Sequence, residues 1–193
     1  VSRLRDVEVT DLLGREQVEV NNDEIFESIG GKVILVTGGG GSIGSELCRQ
    51  IATFDVERLI LFDSAETPMH NIRLELEARF PELEFVPVVG DVRVRERVDM
   101  VFRNFRPSMV FHAAAYKHVP LMEENPCEAV MANVLGTRNV ADLAVKYGAE
   151  KMVMISTDKA VNPTNIMGAS KRLAEIYIQS LGLAIAEGKV EGS

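Results

Sequence analysis

The segment Lys32–Thr37 (KVILVT) runs straight into four glycines, Gly38 to Gly41, and these lead into Ser42-Ile43-Gly44 at the head of a helical pattern. A chain has few ways to fold such a junction. A short apolar, β-branched run without alternation reads as a strand buried on both faces. Ile43, Leu47 and Ile51 then recur every four residues, the stripe of a helix with one apolar face. Strand, glycine turn, helix is the order in which a backbone grips a phosphate. Gly38, Gly41 and Gly44 are spaced three apart. The first permits the sharp turn, the second lets main chain approach a pyrophosphate, and the third lets helix and strand pack closely. The free N–H groups of Ser42 and Ile43, in the helix's first turn, would then point at the phosphate oxygens.

The alternation continues downstream. Strands are expected over Arg58–Asp63, Glu84–Val89, Met109–Ala114 and Lys151–Ser156. Helices are expected around Pro68–Phe80, Val94–Phe105, Cys127–Tyr147 (stopping at Gly148 as a left-handed cap) and Ala169–Leu181. Apolar strands alternating with helices give a parallel sheet covered on both faces, and right-handed crossovers make it doubly wound. The fold class is therefore α/β, with residues 1–31 a polar lead-in and residues 32–193 a dinucleotide-binding domain. The chain starts without Met and stops soon after a helix, which suggests a piece of something longer, with no second lobe for a substrate. Asp63 closes the second strand, where its carboxylate would accept from the adenosine ribose hydroxyls and repel a 2′-phosphate, favouring NAD over NADP. In Gly90-Asp91-Val92, Asp91 either lies near adenine or caps the turn.

Composition narrows the partners. Twenty-one basic against 29 acidic residues give a net charge of −8, so no basic face advertises nucleic acid or an anionic membrane. Cys48 and Cys127 lie far apart, without the spacing of a disulfide framework or a zinc site, and no metal is expected. No apolar run approaches the ~18 residues that span a bilayer. The structural readings are these: Cys48 in an apolar helix stripe; His70 on a helix and His112 in a strand; Met122, Met131, Met152 and Met154 as core filler; and the runs Glu75–Glu77–Arg79 and Arg93–Arg97 as solvated helix faces.

Several motifs together carry a resemblance. The turn T-G-x-x-G-x-x-G, Ala113-Ala114-Ala115 at the end of strand four and Asn133 in the next helix resemble the extended short-chain dehydrogenase/reductases, which have a Rossmann-like fold. GGGGSIGSEL, HAAAYKHVPLMEENP, NVLGTRNV and STDKAVNPTNIMGASKR are similar to the polysaccharide-biosynthesis branch of the nucleotide-sugar 4,6-dehydratases. The resemblance runs from about Lys32 to the end of the chain. It implies conversion of UDP-N-acetylglucosamine to a 4-keto-6-deoxy sugar on tightly held NAD, with Val92, the three alanines and Asn133 around the cofactor. It also implies a cytoplasmic domain, in a parent anchored at the inner membrane by an N-terminal region, and a C-terminal sugar-binding lobe beyond Ser193, without which the piece should turn over poorly. No membrane contact is expected of this piece itself. A homo-oligomer is compatible with such folds, whose helices often pair across a two-fold axis.

That reaction needs a base for C5 and an acid for the departing C6 hydroxyl. The resemblance assigns Asp158 as the acid and Lys159 as the base, with Thr157 bonding the 4-oxygen. For this, a water-poor pocket would have to lower the lysine and keep the aspartate protonated; on residues alone, a Ser-Thr-Asp after a strand is a turn cap. Lys171 would hold the nicotinamide ribose, but four residues before it Met167 stands where the wider superfamily has tyrosine, and a thioether exchanges no proton. Asp158, a water held by Thr157, or Tyr116 could take the O4 proton instead. Lys117, His118 and Asn165 are the expected sugar-side residues; loop-pinning roles stand beside this for His118 and Asn165. Two other readings remain, a nucleotide-sugar 4-epimerase, which would want tyrosine at 167, and an NAD-binding module without chemistry.

Overall fold

The computed structural model describes residues 27–190, so most of the lead-in read over residues 1–31 lies outside the described residues. Five strands form one parallel sheet: β1 (Val33–Thr37), β2 (Arg58–Asp63), β3 (Phe85–Val89), β4 (Met109–His112) and β5 (Lys151–Met154). Their order across the sheet is β3-β2-β1-β4-β5. Helices α1 (Ser42–Ile51), α2 (Glu66–Arg79) and α3 (Arg95–Phe105) connect the first four strands. Between β4 and β5 lie α4 (Val119–Glu124), α5 (Pro126–Ala129), a π-helical stretch over Val130–Gly136, and α6 (Thr137–Lys146). A short 3₁₀ turn, Asp158–Ala160, and the long α7 (Ile166–Ala186) follow β5.

The strand pleat divides the core. Ile34, Val36, Leu59 and Leu61 face Cys48 and Ile51 of α1 and Ile72 and Leu76 of α2. Leu35, Ile60, Phe62 and Val110 face the opposite way, onto Val98 and Phe102 of α3 and Val140 and Leu143 of α6. Each such side chain contributes on the order of 1.5–3 kcal/mol when fully buried, which is why the strands read as unbroken apolar runs. The doubly wound α/β architecture expected from the sequence is the one observed. Strand order reverses between β1 and β4, and ligands of open α/β sheets lie outside the carboxyl ends of strands at such a point.

The connection from β4 to β5 differs from expectation. One helix over Cys127–Tyr147 was expected, whereas the chain already coils at α4 and breaks at Asn125, which has φ −131° and ψ 61°. Pro126 disfavours a helical residue before it and then starts α5. The helical run ends at Gly148, in the expected left-handed conformation with φ 71°. α7 starts three residues earlier than expected because the Asn165 side chain caps it, accepting from the Gly168 N–H at 2.7 Å. Met131 is exposed rather than core filler, since it lies on the outer side of the π-helical stretch. Among the described residues no helix is long and apolar enough to cross a membrane, and no group of three His, Cys, Asp or Glu side chains could hold a metal ion.

Candidate functional site

Two of the turn glycines are sterically obligatory. Gly38 has φ 71°, and a Cβ there would lie 2.6 Å from the Ala114 nitrogen. A Cβ on Gly44 would lie 1.9 Å from the Gly38 carbonyl oxygen. The main chains of β1, α1 and β4 thus meet at contact distance, and the exposed Ser42 and Ile43 carry the first-turn amides of α1, which have no intrahelical acceptor. The Gly38 N–H donates to the Phe62 carbonyl at 2.8 Å and the Gly41 N–H to the Gly38 carbonyl at 3.0 Å. Asp63 stands beside this turn, accepting from the Gly40 N–H at 3.0 Å and the Ala65 N–H at 2.9 Å. Its carboxylate fastens the glycine turn while lining the cleft where a ribose would bond.

That cleft has a volume of about 290 Å³ and is walled by Gly38, Gly41, Asp63, Asp91, the alanines 113–115 and Tyr116. A cradle that side chains at 38 and 44 would fill, next to free helix amides, fits a dinucleotide pyrophosphate. Asp91 does cap its turn, its Oδ1 accepting from the Arg93 N–H at 2.9 Å. It also lines the cleft, so the two readings of Asp91 are compatible. Val92 is core, packed against Gly136, whose Cβ would lie 2.7 Å from it. Asn133 is fully buried and serves as a tie: it accepts from the Tyr116 N–H at 2.8 Å and donates to the Tyr116 carbonyl and the Ser170 hydroxyl, each at 2.9 Å.

The chemistry-bearing residues gather at the end of β5. Lys171 is only 5% exposed, and its ammonium donates to the Ile155 carbonyl at 2.7 Å; burial pulls its pKa down. Met167 is buried with Met122 and Ala129 in a small apolar cluster beneath α4, so it presents no proton-exchanging group. Asp158 departs from expectation. Its side chain is 89% exposed, and it accepts from the Thr157 hydroxyl at 2.9 Å and Lys159 Nζ at 3.4 Å. The Thr157 hydroxyl and the neighbouring ammonium hold this carboxyl below its usual range, so here it is an anion and not the protonated acid the chemistry requires. The burial needed to raise it is absent from these residues. Lys159 is half exposed. Lys117 and His118 are exposed on the segment entering α4, while Asn165 spends its side-chain oxygen on the α7 cap.

Three features escaped the sequence reading. Arg93 belongs to the cleft wall rather than to a solvated helix face, because α3 begins only at Arg95. Glu123 of α4 accepts from the Ile166 N–H at 2.6 Å, tying that helix to the start of α7. His112 links β1 to α6: the Thr137 hydroxyl donates to the Asn133 carbonyl at 2.7 Å, so it accepts from His112 Nε2–H at 2.9 Å, and Nδ1 accepts from the Thr37 hydroxyl at 2.6 Å. Desolvation first, and the Lys171 charge second, push this imidazole down to about 3. Asp followed two residues later by an amide donor at a strand end was the signal available for Arg93; the other two pairings join distant segments.

Comparison with known proteins agrees with the geometry. Residues 34–191 match the family described as polysaccharide biosynthesis protein. The chain is 50% identical over 202 residues to the capsular polysaccharide biosynthesis protein CapD of Staphylococcus aureus, covering 100% of this chain and 34% of that one. The chain thus spans about a third of that relative's length. It is 37% identical over 142 residues to the UDP-N-acetylglucosamine 4,6-dehydratase (inverting) of Campylobacter jejuni, covering 73% of this chain and 41% of that enzyme. Among solved structures, Pen from Bacillus thuringiensis superposes with a TM-score of 0.77 at 32% identity, covering 86% of this chain and 49% of that one. The UDP-glucose 4-epimerase of Thermus thermophilus, solved in complex with NAD, superposes with a TM-score of 0.64 at 27% identity, covering 79% of this chain and 51% of that one.

Proposed function

The chain belongs to the polysaccharide biosynthesis protein family, and from that premise we propose that it is the NAD-binding portion of a nucleotide-sugar 4,6-dehydratase acting on a UDP-N-acetylhexosamine. One observation carries the choice of dehydration over 4-epimerisation. The position that would need tyrosine is Met167, sunk in an apolar cluster, while Thr157, Asp158 and Lys159 stand open beside Lys171 at the end of β5.

Gly38, Gly44 and the first turn of α1 would hold the pyrophosphate, Asp63 the adenosine ribose and Lys171 the nicotinamide ribose. NAD, when bound, would supply a reversible hydride acceptor able to take hydride from C4 of the sugar and give it to C6. The side chains move the protons. Thr157 bonds the 4-oxygen, whose proton passes to Asp158, to a water held by Thr157 or to Tyr116 as the ketone forms. Lys159 removes the C5 proton that the ketone acidifies and later returns a proton to C5, and Asp158 gives a proton to the departing C6 hydroxyl, which leaves as water. A sugar seated over this exposed pair strips its water, which raises the carboxyl and lowers the ammonium toward working values.

The test uses the full-length protein with UDP-N-acetylglucosamine in deuterated water, followed by mass spectrometry and NMR. Dehydration gives a product one water lighter with deuterium at C5. Lys159→Ala is expected to abolish C5 exchange while NAD stays bound. A C4 epimer of unchanged mass would instead establish the epimerase reading, and an unaltered sugar would leave only a binding module.

A further inference from the structure

Arg93 stands between the adenosine end of the cleft and the helices that close it. Its Nε and Nη2 both donate to Asp91 Oδ2, at 2.8 and 2.6 Å, and its main-chain N–H donates to Oδ1 at 2.9 Å. Nη1 turns away to pair with Glu128 on α5. The guanidinium lies over the Tyr116 ring at 5.8 Å from its centroid, and the Tyr116 main chain is held by the buried Asn133. Asp91 is therefore not a free carboxylate. Three donors from one residue fix its rotamer and keep it ionised, and the Arg93 side chain lowers its pKa more than anything else does. Both Oδ2 contacts are taken, so the remaining acceptor capacity is on Oδ1, on the carboxylate that lines the cleft.

We propose that Arg93 is a positioning residue that sets the Asp91 carboxylate as a fixed acceptor for a 6-amino purine, and so gives the cleft its preference for adenine over a 6-oxo base. The inference rests on the cleft being the adenosine end of a dinucleotide site. An exocyclic amine donates to a carboxylate, whereas a 6-oxo group meets it lone pair to lone pair. A planar fork anchored at both ends, on Asp91 and on Glu128, and stacked on an aromatic ring keeps the acceptor from rotating away. Lysine, a single point donor, can restore only part of this.

The experiment is equilibrium binding of NAD and of its deaminated analogue, nicotinamide hypoxanthine dinucleotide, to the full-length protein by calorimetry. The wild-type protein is expected to prefer NAD by on the order of tenfold or more, the range for one hydrogen bond to a charged group. Arg93→Met should bring the ratio of the two dissociation constants close to one, and Arg93→Lys should keep an intermediate ratio. Asp91→Asn should also erase the preference, because Arg93 acts through that carboxylate. A merely structural role would weaken both ligands equally and leave the ratio unchanged, which would overturn the proposal. So would a preference that survives in Arg93→Met, or one lost there but kept in Asp91→Asn. If the wild-type protein binds both dinucleotides equally, the proposal falls while the site reading stands; if it binds neither, both fall.

Discussion

His112 makes stability depend on pH across the weakly acidic range. Its ring is fully buried between the Thr37 and Thr137 hydroxyls, and Nδ1 is an acceptor that protonation would turn into a donor, so the Thr37 hydroxyl would have to give up its own donation. Burial and the Lys171 ammonium hold its folded pKa at about 3, against an unfolded value of ~6.5. A folded pKa below the unfolded one means that the unfolded chain binds more protons between these two values, so stability is full above ~6.5 and is lost as pH falls. The slope approaches 1.36 kcal/mol per pH unit, which from pH 7 to pH 5 sums to about 2 kcal/mol. Carboxylates held low by partners, such as Glu75 near 2, lose their contribution only below the ordinary carboxylate range, outside this window. Urea unfolding at pH 7.0, 6.0 and 5.0 measures the effect as a falling midpoint at constant slope. His112→Gln keeps a donor and an acceptor without titrating, and should flatten the dependence; the exposed His70 and His118 remain in both proteins. If the midpoint falls equally in wild type and variant, the loss arises elsewhere and the buried-imidazole argument is wrong.

Two further outcomes follow from the packing. A Cβ on Gly168 would lie 2.2 Å from the Lys159 carbonyl, so Gly168→Ala must displace the Asp158–Ala160 turn. The cost is on the order of 1–3 kcal/mol, seen as a melting point lower by several degrees, with turnover falling as the acid–base pair moves; an unchanged melting point would show that the turn yields freely. Cys48 is fully buried with its thiol pushed up to about 12 by desolvation, while Cys127 is exposed. A thiol reagent should therefore label one cysteine quickly in the native protein and the second only on unfolding, and rapid labelling of both would refute the packing around α1.

The sheet was legible because its central strands are buried on both faces and so leave unbroken apolar runs, as in Val33–Thr37 and Arg58–Asp63. The glycine turn was legible because Gly38 and Gly44 answer to sterics that no other residue satisfies. Where the structure departs, the deciding contacts join segments that a linear reading keeps apart. Arg49 reaches Glu75 across 26 positions, so that acidic side chain ties α1 to α2 and is more than a solvated face. The helix expected over 127–147 is preceded by a separate one, α4, from which a local conflict at Asn125-Pro126 divides it, and its turns widen where Asn133 must reach both Tyr116 and Ser170. The exposure of Asp158 was unreadable for a different reason: solvation belongs to whatever covers a residue, and no spacing encodes it.

This contrast divides the site physically. The nucleotide end is made of backbone held in place by backbone: Gly38 against Ala113 and Ala114, Gly44 against Gly38, and Asp63 tied to two amides. Such a cradle is formed before any ligand arrives, because moving one of its walls means moving a strand or a helix. The chemical end is made of side chains with solvent around them, Asp158 and Lys159 paired, among the described residues, with each other and with Thr157. The Thr157 hydroxyl and the Lys159 ammonium hold the Asp158 carboxyl below its usual range, so the proposed acid role requires something that excludes water above it. On the proposed reading, substrate binding sets the proton chemistry of the exposed aspartate–lysine pair, so cofactor affinity and proton transfer respond to different residues.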